Sequence, residues 1–156
     1  MCIRDSRKIV ISSVLGEKRV VQLSVLDQSI AVADRPQAEA IRESVSLAEY
    51  CEELGYHRYW VSEHHNHPAI VGTAPEILIA AIASKTNEIR VGSAGVMLPH
   101  YSPFKVAEQF RVLDALAPGR IDLGLGRAPG SDGLTAFALN PNAAERPHQF
   151  LSLIHI

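Results

Sequence analysis

The stretch Arg58-Tyr59-Trp60-Val61-Ser62-Glu63-His64-His65 is an aromatic, β-branched run that ends abruptly in a carboxylate and two imidazoles. Its composition predicts a short strand. A strand that runs out into titratable groups marks a place where a scaffold presents chemistry. Taken alone, the stretch reads more simply as an ordinary strand followed by a polar loop. The decision rests on whether other strands end in the same way, on the same side of the fold.

Working outward, residues 20–26 (Val-Val-Gln-Leu-Ser-Val-Leu) form a β-rich run that ends in Asp27-Gln28-Ser29. Asp34-Arg35-Pro36 opens a helix with Pro36 in its first turn. Ala38, Ile41, Val45, Ala48, Cys51 and Leu54 then recur at steps of three and four, an amphipathic stripe, and Gly55 stands where a left-handed stop is expected. The second strand covers 56–62. After a loop over 64–72, Thr73-Ala74-Pro75-Glu76 matches a capping box for a helix reaching Lys85. Residues 88–96 form the third strand, closed by Leu98-Pro99-His100. Ser102-Pro103 opens a third helix with Val106, Ala107, Phe110, Leu113 and Leu116 on one face, and Pro118-Gly119 stops it. The fourth strand, 120–125, exits through Gly126-Arg127-Ala128-Pro129-Gly130-Ser131-Asp132. Residues 133–150 show no clear period.

The strands start near residues 20, 57, 89 and 120, with a helix in each gap, which makes four consecutive βα units. Such alternation implies an α/β fold with a parallel sheet. An open doubly wound sheet and part of a (β/α)8 TIM barrel both fit. A doubly wound nucleotide fold carries a glycine fingerprint after its first strand, and Asp27-Gln28-Ser29 is not one. A whole barrel needs roughly 250 residues, and the chain has 156. The expectation is a fragment, the first four βα units of a barrel over 20–150. Residues 1–19 read as a leader. Within it 1–6 do not continue the periodic pattern, nor do residues 151–156, and both ends read as non-native sequence such as translated assembly read-through.

Hydrophobic residues make up 47% and charged residues 21%, the profile of a soluble globular protein rather than a disordered chain. A formal net charge of -2 with scattered basic residues gives no support to nucleic-acid binding. No apolar run approaches the roughly 18 residues of a membrane span. The seven residues 9–15 sit behind basic residues but lack a small-residue cleavage site, so a signal peptide is not expected and the cytoplasm is. Cys2 and Cys51 make no disulfide framework, and Cys51 falls on the apolar helix stripe as a small buried residue.

In a parallel βα array all strand C-termini lie on one face, and ligands bind there. That face collects Asp27 and Gln28, then Glu63, His64 and His65, then His100, then Arg127. Four polar exits out of four favour a single site. Glycines at 92 and 95 fit either a bulge packed against a helix or the close approach of a flat ligand, and their repetition at 124 and 126 suggests a planar ring lying against two neighbouring strands. Arg127 at a strand end could clamp a phosphate or pair with Asp132. An imidazole beside Glu63 could move protons near neutral pH. A zinc site drawn from His64, His65, His67 and His100 is an alternative, in which His65 and His67 would pair better than adjacent histidines on an extended chain.

Trp60-Val61-Ser62-Glu63-His64-His65, Val91-Gly92-Ser93-Ala94-Gly95-Val96-Met97-Leu98-Pro99 and the run from Leu113 to Arg127 together resemble the bacterial luciferase-like flavin monooxygenases. The similarity runs from Gln22 to Gln149 and is greatest to the alkanal monooxygenase-like relatives of single-component type. It implies a (β/α)8 barrel binding reduced FMN, or in some relatives the deazaflavin F420, at the strand C-terminal face. By the match, His64 takes the place of the catalytic histidine that handles protons while reduced flavin reacts with oxygen. Ala94 and Gly95 fall where relatives have a non-proline cis peptide beneath the flavin ring, and Arg127 matches the arginine on the flavin phosphate. Gly126 stands beside it, where true luciferases have a reactive cysteine, so light emission is not implied. Glu63 is expected to support the cofactor. The family's second phosphate-binding stretch has no counterpart in this chain.

The resemblance therefore implies a monooxygenase that oxidises a small organic substrate with O2 and reduced FMN delivered by a separate NAD(P)H flavin reductase. A homodimer of the full-length protein is implied as well, through early helices, with no nucleic-acid or membrane partner and no metal. A metal-dependent barrel hydrolase and a non-catalytic flavin-binding barrel are the alternatives. With half of the pocket missing, the fragment itself is expected to bind flavin poorly and to be inactive alone.

Overall fold

The computed structural model describes residues 9–12, 18–128, 131–143 and 145–149. Residues 1–6 and 151–156, with Cys2, lie outside the described residues. In chain order the elements are β1 (Ile9–Ser12), β2 (Lys18–Val21), β3 (Ser24–Asp27), α1 (Gln37–Glu53), β4 (Arg58–Val61), α2 (Pro75–Ala83), β5 (Arg90–Ser93), β6 (Val96–Met97), α3 (Pro103–Leu116), β7 (Ile121–Asp122), β8 (Leu125–Gly126) and α4 (Gly133–Leu139). Short 3-10 turns cover Leu98–His100 and Arg146–Gln149.

β3, β4, β5 and β7 form a parallel sheet in that order, and β6 pairs in parallel with β8 just beyond. Each new strand is added beside the last, without the reversal of order that defines a doubly wound sheet. α1 packs on α2 and α2 on α3, so successive helices cover one side of the sheet. This is the winding of a barrel wall. The core between the layers contains Tyr59, Val61 and Val91 from the strands, Ile79 and Ile82 from α2, and Val106, Phe110 and Leu113 from α3.

Several expected boundaries change. The run 20–26 is two strands: β2 pairs antiparallel with β1, whereas β3 pairs parallel with β4. Two partners in opposite senses force a break at Gln22-Leu23. The third and fourth strands are likewise each interrupted, between β5 and β6 and between β7 and β8. Pro36 caps α1 rather than entering its first turn. The buried face of α1 is Ala40, Ser44, Ala48 and Cys51, leaving Ile41 exposed. Ser44 can be buried because its hydroxyl meets Ser29 Oγ at 2.8 Å and donates to the Ala40 carbonyl at 3.1 Å. Gly55 does stop α1: at φ 77° it donates to the Glu52 carbonyl, while Tyr56 donates to that of Cys51.

The expected capping box before α2 does not form. Ala74 is the N-cap and no side chain caps the helix, because Pro75 at its first position moves the start one residue past Thr73. The region expected to lack periodicity contains α4, capped by Asp132, whose carboxylate accepts from the Leu134 and Thr135 amides at 2.9 and 3.0 Å.

Candidate functional site

Along β4, side chains alternate between two environments, as a strand requires. Tyr59 and Val61 are buried toward the helices. Arg58 and Trp60 point the other way, onto a concave cavity of about 650 Å³. The floor of that cavity is fixed by Asp122 of β7. Its carboxylate accepts from Arg58 Nε at 3.1 Å, Trp60 Nε1 at 3.0 Å and Arg90 Nε at 3.1 Å, with a second bond from the Arg90 guanidinium. Burial alone raises the Asp122 carboxyl, but the Arg90 and Trp60 bonds and the two arginine charges hold it below the usual range.

Ala94, Gly95, Gly126 and Arg127, all expected at a cofactor site, line this same cavity. They come from the segments after β5 and at β8, where Ala94 donates to the Val61 carbonyl at 2.8 Å and Val96 to that of Gly124 at 2.8 Å. The Ala94–Gly95 peptide bond is cis. The reason for the glycines differs from the expectation of a close ligand. A Cβ at Gly92 would lie 2.4 Å from the Asp122 carbonyl oxygen, one at Gly95 2.7 Å from the Gly124 backbone, and one at Gly124 2.2 Å from the Ser93 carbonyl oxygen. The space is taken by the adjacent strand. Ser93 and Gly124 close the gap reciprocally, Ser93 Oγ donating to the Gly124 carbonyl at 2.9 Å and accepting from its amide at 3.0 Å. At Gly126 an added Cβ would meet Met97 Sδ at 2.9 Å.

Glu63 and His64 follow β4 but do not line the cavity. Glu63 is fully buried. Its Oε2 accepts from the Met97 amide at 2.8 Å, and its Oε1 accepts from the Tyr101 hydroxyl at 2.6 Å and from His65 Nε2 at 2.7 Å. Burial, and then the Glu63 bond, push the Tyr101 phenol well above its ordinary range. The His65 ring makes an edge contact with His100 at 5.8 Å between centroids, and His100 one with Tyr101 at 6.2 Å.

His64 is half-buried. Its amide donates to the Gly72 carbonyl at 2.9 Å, anchoring the loop that follows, and its Nδ1 is buried with no hydrogen-bond partner. The ring contacts His67 at 6.5 Å, and His67 Nδ1 accepts from the Ala69 and Ile70 amides. The histidines therefore pair as 64 with 67 and 65 with 100, not as 65 with 67. The bend at 65–66, with Asn66 at φ 51°, breaks the extended alternation on which that pairing depended. Among the described residues no three of His, Cys, Asp and Glu gather in ligating geometry. Asp27 is tied to Tyr59 Oη at 2.7 Å and to the Ser29 amide at 2.9 Å, a joint between β3 and β4.

Three functional contributors were not singled out from the sequence. Asp122 carried a signal, a carboxylate inside an apolar strand run. Tyr101 and Ser93 carried none, because their partners lie more than thirty residues away.

Cavity, strand exits and helix layer together define a class, an α/β barrel wall with a ligand face at its strand C-termini. The luciferase-like monooxygenase family model matches residues 22–154, and the chain belongs to that family. It is 50% identical over 131 residues to the N-acetyl-S-alkylcysteine monooxygenase of Bacillus subtilis, covering 84% of this chain and 39% of that protein. The solved apo form of MsnO8 superposes with a TM-score of 0.79 at 45% identity, over 86% of this chain and 41% of that one. The oxygenating constituent of 3,6-diketocamphane monooxygenase from Pseudomonas putida, solved with FMN, shares the fold at TM-score 0.74 and 21% identity, over 85% of this chain and 38% of that one. The chain spans about 40% of the length of the curated relatives it matches, so it forms a partial barrel.

Proposed function

We propose that this chain forms the N-terminal part of a flavin-dependent monooxygenase that oxidises a small organic substrate with O2 and reduced FMN. The observation that carries the reading is the convergence of Ala94, Gly95, Gly126 and Arg127 on one cavity, opposite Trp60. The residues fit a flavin by their chemistry. Trp60, Met97 and Leu125 give a largely apolar wall, and a guanidinium stands at the strand exit. About 650 Å³ also falls within the usual range of ligand pockets. The bound flavin would supply the electrons that activate oxygen. Arg127 would hold the phosphate, the apolar wall would keep water from the ring, and the His64 imidazole would take up and return a proton. Glu63 serves as a positioning residue, fixing Met97 and Tyr101 around the site.

FMN is preferred because the diketocamphane enzyme was solved with it; the deazaflavin F420, bound as an acetone adduct in a secondary alcohol dehydrogenase of the same fold, is the alternative. A separate NAD(P)H flavin reductase and a cytoplasmic location belong to the same proposal. So does a homodimer of the full-length protein, supported by exposed Ile77 on α2 and by exposed Val112 and Leu116 on α3. The deciding experiment is His64→Ala in the full-length protein with a flavin reductase, following substrate oxidation and oxygen uptake. Loss of a proton-handling group lowers turnover about a hundredfold or more. Unchanged substrate oxidation would remove the proposed role of His64, and no substrate oxidation by the wild type would leave a non-catalytic flavin barrel as the better reading.

A further inference from the structure

Trp60, Gly92 and Asp122 stand in one row across three strands. Trp60 is in register with Gly92, and Gly92 with Asp122, so all three face the same side of the sheet. Trp60 and Asp122 both line the cavity. Their backbones are two strand spacings apart, roughly 10 Å. Trp60 Nε1 nevertheless donates to Asp122 Oδ2 at 3.0 Å. The indole therefore reaches across the β5 backbone at Gly92. A Cβ at that position would stand 2.6 Å from the Asp122 Cβ, on the face the indole crosses, and 2.4 Å from the Asp122 carbonyl oxygen.

The acceptor is itself held. Arg90 donates to Asp122 Oδ1 through Nε at 3.1 Å and through a second guanidinium nitrogen, and Arg58 Nε shares Oδ2 with the indole at 3.1 Å. Donors on both oxygens keep the carboxylate from turning, and the Trp60 ring is held in one orientation along the cavity wall. A side chain fixed before binding loses little freedom when a ligand arrives. Flat aromatic rings pack favourably against such a surface. We propose that Asp122 is a positioning residue that locks the Trp60 indole as the preset wall on which the flavin ring packs. Gly92 provides the passage that makes the lock possible. The inference deepens the flavin reading and rests on it. It divides the ligand between two residues: Trp60 serves the ring and Arg127 the phosphate.

The test uses the full-length protein labelled with ¹⁵N-tryptophan, as wild type, Asp122→Ala, Asp122→Asn and Trp60→Leu, with calorimetric titration of FMN and of riboflavin. The Trp60 indole N–H, assigned by its loss in Trp60→Leu, is expected to be protected from deuterium exchange in the wild type. In Asp122→Ala it exchanges about tenfold or more faster, the effect of losing a hydrogen bond to a charged group. Asp122→Ala and Trp60→Leu each bind FMN and riboflavin about tenfold more weakly, and to the same extent, since the two flavins share the ring. Asp122→Asn keeps an acceptor for the indole while losing the charge that pairs with Arg90, and restores most of the protection and the affinity. An indole proton equally protected in Asp122→Ala, or unchanged riboflavin affinity in Trp60→Leu, overturns the inference. Where Asp122→Ala does not fold, an unprotected Trp60 indole in the wild type or unchanged riboflavin affinity in Trp60→Leu still overturns it. Should the wild type bind neither flavin, the flavin reading fails and the packing with it, whereas the exchange rates still decide whether Asp122 locks the indole.

Discussion

The Glu63 carboxylate accepts the backbone amide of Met97 at 2.8 Å, joining the exit of β4 to β6, 34 residues later. The same carboxylate takes the Tyr101 hydroxyl and His65 Nε2, so a single fully buried side chain sets three pieces of the site. All three partners present protons, and only an acceptor with two oxygens can serve them. Glu63→Gln replaces one oxygen with an NH2 group that faces donors. Stability of the full-length protein is expected to fall by about 2–4 kcal/mol, since buried donors lose their partner. Chemical denaturation checks this; an unchanged midpoint would show that the network is dispensable.

Gly124 and Gly133 give opposite expectations for the same substitution. A Cβ at Gly124 would stand 2.2 Å from the Ser93 carbonyl oxygen, and backbone on both sides leaves little room to move. Gly124→Ala should therefore destabilise by about 2–3 kcal/mol, the range of overpacked cores. A Cβ at Gly133 meets nothing within 4 Å at the start of α4. Gly133→Ala should leave the thermal midpoint unchanged or slightly raised. Equal effects of the two substitutions would contradict the strand contact.

The contrast between these glycines shows what could be read from the chain and what could not. Gly55 and Gly119 were legible as helix stops, and both have left-handed φ, because that requirement is local. The succession of βα units was legible for the same reason. Placing strand C-termini on one face put Arg127 together with Glu63 and His64, but the cavity is lined by Ala94, Gly95, Gly126 and Arg127 and not by Glu63 or His64. By contrast, the split between β2 and β3 depends on β1, and the burial of Ser44 in place of Ile41 depends on Ser29, fifteen residues away. Met97 enters the site through its main-chain amide, which no side-chain pattern announces. α4 was missed despite the capping sequence Asp132-Gly133-Leu134-Thr135, because its seven residues are too few to show a period.

A pH-dependent contribution to stability resides in Glu52, near the end of α1. Its carboxylate accepts from the amides of Asn87, Glu88 and Ile89, pinning the turn that leads into β5. Burial raises this carboxyl, but the three amides and the Arg120 charge together outweigh it and hold it below its ordinary value of 4.5. A group depressed in the folded state stabilises fully above its unfolded value and loses that contribution as pH falls through the folded one. Wild type should therefore exceed Glu52→Gln in stability at pH 7, and the two should converge as the pH falls below about 4.5. A gap that stays constant down to acid pH would assign the effect to shape rather than charge.

Arg127 follows Gly126, the last residue of β8, and lines the cavity at the strand's C-terminal exit. In the proposed function it meets the FMN phosphate, and that assignment separates two flavins differing only there. A guanidinium fork binds phosphate through charge-assisted, paired hydrogen bonds, while the isoalloxazine ring depends on the apolar wall. Arg127→Ala in the full-length protein should raise the Kd for FMN about tenfold or more, since a hydrogen bond to a charged group contributes about 1.5–3 kcal/mol. Riboflavin, which lacks the phosphate, should bind the variant and the wild type within about twofold of each other. Calorimetric titration of both flavins into both proteins gives the comparison. Equal weakening for the two would move Arg127 from the phosphate to the ring or to the fold itself, and the phosphate site would then have to be sought elsewhere on the strand-exit face.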